Sequence, residues 1–178
     1  SKESIKYLTN VIEIKPEHFR SWFTIASVYE SDGNNLDAIK NYEKAIEINP
    51  NYTKAYGNLG KLYTTQGEYD LAEKTLKTII SIDNNYADGF MHLGNLYLIQ
   101  EKFDLAYDNL NIATNLDDRD YHKYFQLATA ANALEKWDDS GKAAQKCTEL
   151  QKRFGGGWYE LGVSEFGRGN KTRAKRYF

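Results

Sequence analysis

Side chains of the same kind return every 34 residues along this chain, and the register never slips. Pro16 and Pro50 stand one period apart, as do Tyr29, Tyr63 and Tyr97. Ala38, Ala72 and Ala106 keep the same step, continued by Ser140 and Ala174. A fixed period of this length implies one small structural unit copied along the chain, each copy burying its apolar face on the next. It argues against a single closed core.

With Phe19 as the first place, the periods run 19–52, 53–86, 87–120 and 121–154, with a shortened one at 155–178 and a half period at 1–18. Aromatic rings hold the fourth place: Trp22, Tyr56, Phe90, Tyr124 and Trp158. Ile25, Leu59, Leu93, Leu127 and Leu161 hold the seventh, and the tiny residues Ala26, Gly60, Gly94, Ala128 and Gly162 the eighth. Later in each period come Leu8, Tyr42, Leu76, Leu110, Ala144 and Phe178, then Val11, Ala45, Ile79, Ala113 and Cys147 three residues on. Steps of three and four put each set on one face of an α-helix, so every period holds two amphipathic helices. Turn residues such as Asp32-Gly33-Asn34 and Gln66-Gly67-Glu68 separate them. The tiny residues predict helix axes that approach closely, with the aromatic neighbours closing over the contact.

The order Trp22-x2-Ile25-Ala26-x2-Tyr29, then Ala38-x3-Tyr42-x2-Ala45, then Pro50 resembles the tetratricopeptide repeat pattern. The next copy reads Tyr56-x2-Leu59-Gly60-x2-Tyr63, then Ala72-x3-Leu76, and the resemblance covers essentially the whole chain. It implies an all-α fold: a right-handed α-α superhelix, the tetratricopeptide solenoid, of about 11 antiparallel helices in a single array over 1–178. The chain departs from the pattern after Pro50, where Asn84, Asp118 and Lys152 take the proline's place. Asn and Asp still favour a turn through local side-chain bonds, but Lys152 does not. Gly155-Gly156-Gly157 follows it, and three poor helix formers predict a late or frayed helix start or a plain loop.

The net charge of −2 gives no general attraction to nucleic acid. No stretch approaches the roughly 20 apolar residues that span a bilayer, and no signal peptide is visible. The chain opens inside a second helix and stops inside another, which reads as a piece of a longer protein. Its compartment is left open, with the cytoplasm favoured. Cys147 is the only cysteine and fills a small packing place, as Ala45 and Ala113 do.

No phosphate loop, dinucleotide fingerprint or paired-cysteine metal site occurs, and the three histidines suggest no catalytic grouping. Glu43, Glu47, Asp104 and Glu149 lie off the apolar stripes and read as solvated faces. No enzyme activity, cofactor or resident metal is expected. His92, His122 and Asp88 fall near one another in the pattern, but they read as unmetallated groove residues rather than a complete ligand set. The C-terminal Arg168, Lys171, Arg173, Lys175 and Arg176 read as a solvated helix side, with an anionic docking patch as the alternative.

The resemblance implies binding of a peptide or partner helix in a concave groove lined by the first helix of each pair. Carried over place by place, it assigns Lys54, Asn58, Lys61, His92, Asn95, His122 and Asn132 to that groove. Amide side chains both donate to and accept from a peptide backbone, which suits them to an extended segment. Towards the C-terminal end the same places turn apolar, with Tyr159, Val163 and Phe166. A specialised subset of the family grips the acidic tail of a chaperone with a two-carboxylate clamp. The best frame here offers Phe23, Ser27, Asn58, Asp88 and His92, of which only Asn58 fits, and Asp88 would repel the carboxylate. That subclass is rejected. Two other classes stay open: an accessory arm of a larger enzyme, and an end-to-end self-assembly module in which Ala174 and Phe178 await a covering helix.

Overall fold

The computed structural model describes residues 2–178. Eleven helices and no strand are found among the described residues. They are α1 (Lys2–Ile14), α2 (Phe19–Ser31), α3 (Asn35–Ile48), α4 (Thr53–Thr65), α5 (Tyr69–Ile82), α6 (Ala87–Ile99), α7 (Phe103–Leu116), α8 (Tyr121–Ala133), α9 (Trp137–Leu150), α10 (Gly155–Gly167) and α11 (Lys171–Ala174). The first helices begin at Phe19, Thr53, Ala87, Tyr121 and Gly155, so the 34-residue step of the sequence is also the step of the backbone. Internal contacts divide the chain into two compact units, the first ending at Asn84 and the second beginning at Asn85.

In each unit the hairpins are held by the tiny eighth-place residue. A Cβ added to Gly60 would come within 2.5 Å of Leu76 Cγ, and one added to Gly94 within 2.5 Å of Leu110 Cγ. Both leucines are completely buried. The close approach predicted from the sequence is therefore a contact between the eighth place and the leucine 16 residues on. Phe178 repeats it over Gly162, where an added Cβ would meet Cε1 at 2.7 Å.

The turn inside each hairpin is also periodic. Gly33, Gly67 and Gly169 have φ of +75°, +80° and +83°, and Glu101 and Glu135 adopt 57° at the matching positions. The following amide then reaches back five residues: Asn34 N–H to Tyr29 O at 2.8 Å, Glu68 to Tyr63 at 3.0 Å, Lys102 to Tyr97 at 2.9 Å and Lys136 to Ala131 at 2.8 Å. This left-handed cap satisfies the last carbonyls of the first helix. Glycine takes the conformation freely, whereas glutamate carries strain there.

Two expectations are corrected. The triple glycine neither frays nor delays α10, which starts at Gly155 in step with the other first helices. Tertiary contacts override propensity at this junction. Trp158 Nε1 donates to Lys152 O at 2.8 Å, as Trp22 Nε1 donates to Pro16 O at 2.9 Å, so the lysine keeps the proline's role as acceptor. Gly157 lies against Cys147, where a Cβ would sit 2.8 Å from the sulfur. Ala174 is not left waiting for cover: it is 1% exposed.

Candidate functional site

On the first unit, α2, α3 and α4 converge on the hydroxyl of Tyr42. Tyr42 is a completely buried core residue whose oxygen is met by side chains of both first helices. Its O–H donates to Glu30 Oε2 at 2.6 Å, and Asn58 Nδ2 donates to it at 3.0 Å. Ser27 Oγ lies 3.2 Å away. Lys61 Nζ stands 3.5 Å from the other Glu30 oxygen. Burial, and then the hydrogen bond to Glu30, push the Tyr42 hydroxyl up to about 12. Asn58 and Lys61 are thus brought into one network, as the sequence placed them on one face. Lys54 is exposed one turn before Asn58 and stands outside the network.

On the second unit the polar first-helix side chains bind one another. Gln126 Nε2 donates to Asn95 Oδ1 at 3.0 Å. Asn132 Nδ2 donates to Glu160 Oε2 at 2.6 Å and to the Glu160 backbone oxygen at 3.1 Å, while Thr129 Oγ1 donates to Glu160 Oε1 at 2.9 Å. Asn132 and Glu160 are both buried. Each of these bonds joins one first helix to the next, so they pin neighbouring repeats and leave less capacity for a ligand. His122 is exposed, its ring 4.0 Å from that of Tyr121 and 5.9 Å from that of Phe154. His92 is half-buried on α6.

Asp88 is not available to a metal or a ligand. Its Oδ1 lies 2.9 Å from Nζ of Lys123, which also reaches Asp117 Oδ2 at 3.0 Å and Asp120 Oδ2 at 3.3 Å. Lys123 is 1% exposed. Burial alone would lower the pKa of its ammonium, but the carboxylates around it win and raise it. Asp117 moves the opposite way, held down by its hydrogen bond from Lys123. Among the described residues no group of three or more His, Cys, Asp or Glu is placed to hold a metal ion.

Sequence reasoning missed the Lys123 cage, yet a signal was there. The third place of the period holds Ser21, Ala55, Gly89 and Gly157, and Lys123 is the one cation among these small residues. It also read Tyr42 only as part of an apolar helix stripe.

The match to a known family falls on the first unit and the start of the second. Residues 29–96 match the tetratricopeptide repeat family. Over that stretch the chain is similar to tetratricopeptide repeats. Solved structures extend the fold likeness well beyond that stretch. MamA superposes with a TM-score of 0.78 at 23% identity, over 92% of this chain and 89% of its own. YrrB, described as a tetratricopeptide repeat protein with an unusual peptide-binding site, gives 0.76 at 22% over 96% and 88%. PilF of Pseudomonas aeruginosa gives 0.80 at 19% over 89% and 72%. No curated protein matches. The chain has the all-α tetratricopeptide solenoid fold, and a tetratricopeptide fold suggests a protein-interaction scaffold. No helix among the described residues is long and apolar enough to cross a membrane.

Proposed function

We propose that this chain is a protein-interaction scaffold, its tetratricopeptide repeats acting as a single array that presents first-helix faces to a peptide or partner helix. The observation that carries the reading is the meeting of Tyr42, Asn58 and Lys61 beside Glu30 on the first unit. Rigid helices hold these donors before the ligand arrives, so little ordering cost remains and modest contacts suffice. Affinities in the micromolar range, about −8 kcal/mol, fit such a site. No catalytic role is proposed for any side chain. The relative described by its peptide-binding site supports the reading by fold alone.

Replacing Asn58 and Lys61 with Ala, singly and together, tests it by pull-down of partners from the native source. Weaker recovery with unchanged helicity by circular dichroism is the expected result. Equal recovery of every partner would count against these residues.

A second reading, self-assembly, is favoured by one observation. Tyr159, Phe166 and Phe178 are 58%, 57% and 68% exposed at one end of the second unit, with the Tyr159 and Phe178 rings 5.7 Å apart. Light scattering across a concentration series separates the two readings, since a persistent monomer discards assembly.

A further inference from the structure

The first-helix residues of the first unit carry three cations and one anion: Arg20, Lys54 and Lys61 against Glu30. That one carboxylate sits where the donors of the face meet. It takes the Tyr42 proton at 2.6 Å and faces the Lys61 ammonium at 3.5 Å. We propose that Glu30 is a stand-in for a ligand carboxylate, so that this face is a carboxylate receptor kept occupied by its own side chain until a partner displaces it. The proposal rests on the peptide-binding reading and names the chemistry of the peptide.

Three observations carry it. First, the Tyr42 oxygen accepts from Asn58, with Ser27 alongside, which leaves its single proton directed at Glu30. If Glu30 swings away, that buried hydroxyl needs another acceptor in the same place, because an unmade bond there is costly. A ligand carboxylate supplies one and also restores the charge opposite Lys61.

Second, Glu30 can be reached from solvent. Its side chain is 22% exposed and that of Lys61 57% exposed. Lys61 adds little to holding it, because their separation lies beyond the 2.7–2.9 Å of a strong charge-assisted bond. Its one short bond is the 2.6 Å bond from Tyr42, which a ligand carboxylate would take over. Glu160 is the contrast. It is buried and tied to Asn132 and Thr129 by bonds of 2.6 and 2.9 Å, so no ligand exchanges with it.

Third, the surrounding charge favours an incoming anion. Arg20 and Lys54 are exposed at matching places of α2 and α4, so displacing Glu30 leaves the face more cationic still. The arrangement differs from the two-carboxylate clamp rejected above: one carboxylate is received, by Tyr42 and Lys61, and Asp88 takes no part.

A ligand carboxylate comes either from a chain terminus or from an Asp or Glu side chain, and fluorescein-labelled octapeptides separate these sources. One probe contains glutamate and ends in an amide. A second lacks acids and ends in a free carboxylate, and a third is a neutral glutamine peptide with an amide end. Fluorescence anisotropy is recorded for the wild type, Glu30→Gln, Glu30→Ala and Lys61→Ala. Removing the internal competitor is expected to tighten binding of at least one carboxylate probe about threefold or more, with the neutral probe unchanged. Lys61→Ala, a change at an exposed side chain, is expected to weaken the same probe. The probe that responds identifies the source. An equal gain for the neutral peptide, or no gain for either carboxylate probe in both Glu30 variants, overturns the proposal while binding of the neutral peptide keeps the scaffold reading intact. Failure of every probe with every protein overturns both.

Discussion

The two units are built from the same hairpin and differ in what they do with charge. In the first unit the first helices carry three cations and one partly exposed carboxylate, Glu30, held by a short bond from Tyr42 and a looser pair with Lys61. In the second unit the corresponding helices carry Asp88, Glu160 and Glu165 against Lys123, and each of these charges has a close partner. Lys123 is caged by three aspartates, Glu160 by Asn132 and Thr129, and Glu165 by Arg168 and Asn170. A repeat scaffold can therefore devote one stretch of its polar residues to fastening hairpins together and leave another stretch for recognition. The fold does not reveal which is which. The burial of the carboxylates is the guide: Glu160 and Glu165 are buried, and Glu30 is not.

The sharpest way to break this contrast is to cut the two lysines. Lys123→Ala leaves three aspartates without their cation and opens a hole at a fully buried site, so a loss of about 3 kcal/mol is expected from urea unfolding midpoints. Lys61→Ala removes an exposed pair and should cost less than about 1 kcal/mol. Equal losses would erase the distinction between the units. The cage also fixes a pH window. The pKa of Asp117 lies below its ordinary value in the folded protein, so its contribution is present above about pH 4 and is lost as acid titrates the folded state. The raised pKa of Lys123 keeps its contribution until the pH climbs past the ordinary lysine range. The cage is thus intact throughout the neutral range.

Tyr42 gives the first unit its own signature. Its hydroxyl ionises near 12 when folded and near 10 when unfolded, so the folded state loses stability as pH rises between those values. The loss approaches about 2–3 kcal/mol. Tyr42→Phe should remove this component from an alkaline unfolding series. An unchanged pH profile in the variant would show that the buried hydroxyl is not the group responsible.

A smaller effect sharpens the comparison at the backbone. The left-handed turn position is glycine at Gly33 and Gly67 in the first unit, whereas in the second it is glutamate at Glu101 and Glu135 and glycine at Gly169. Glu101→Gly and Glu135→Gly should each stabilise by up to about 1 kcal/mol, and Gly67→Ala should destabilise by a similar amount. Thermal melts of the three variants check the signs.

The helices were legible because their period depends on side-chain size, which sequence states directly. The close approach at Gly60 and Gly94 follows from the pattern, but it is Leu76 and Leu110, not the expected aromatic rings, that close over these two glycines. The start of α10 was misread because propensity is local, while the Trp158 bond to Lys152 O and the fit of Gly157 to Cys147 are tertiary. The strain at Glu101 and Glu135 was hidden for a related reason: the turn is imposed by the hairpin, not requested by the residue. Among the groove assignments, Asn58 and Lys61 do share a network, whereas Asn95 and Asn132 were placed correctly in the period but bind neighbouring repeats. A spacing rule reports which face a residue occupies. It does not report whether another side chain already holds it.

The central claim is that recognition belongs to the exchangeable pairs of the first unit. It is tested most directly by titrating the isotope-labelled chain with the glutamate octapeptide and following amide and side-chain resonances. The account expects the shifts to concentrate on Glu30, Asn58 and Lys61, with Asn132 and Glu160 unmoved. Shifts centred on α8 and α10, with those three residues silent, would contradict it.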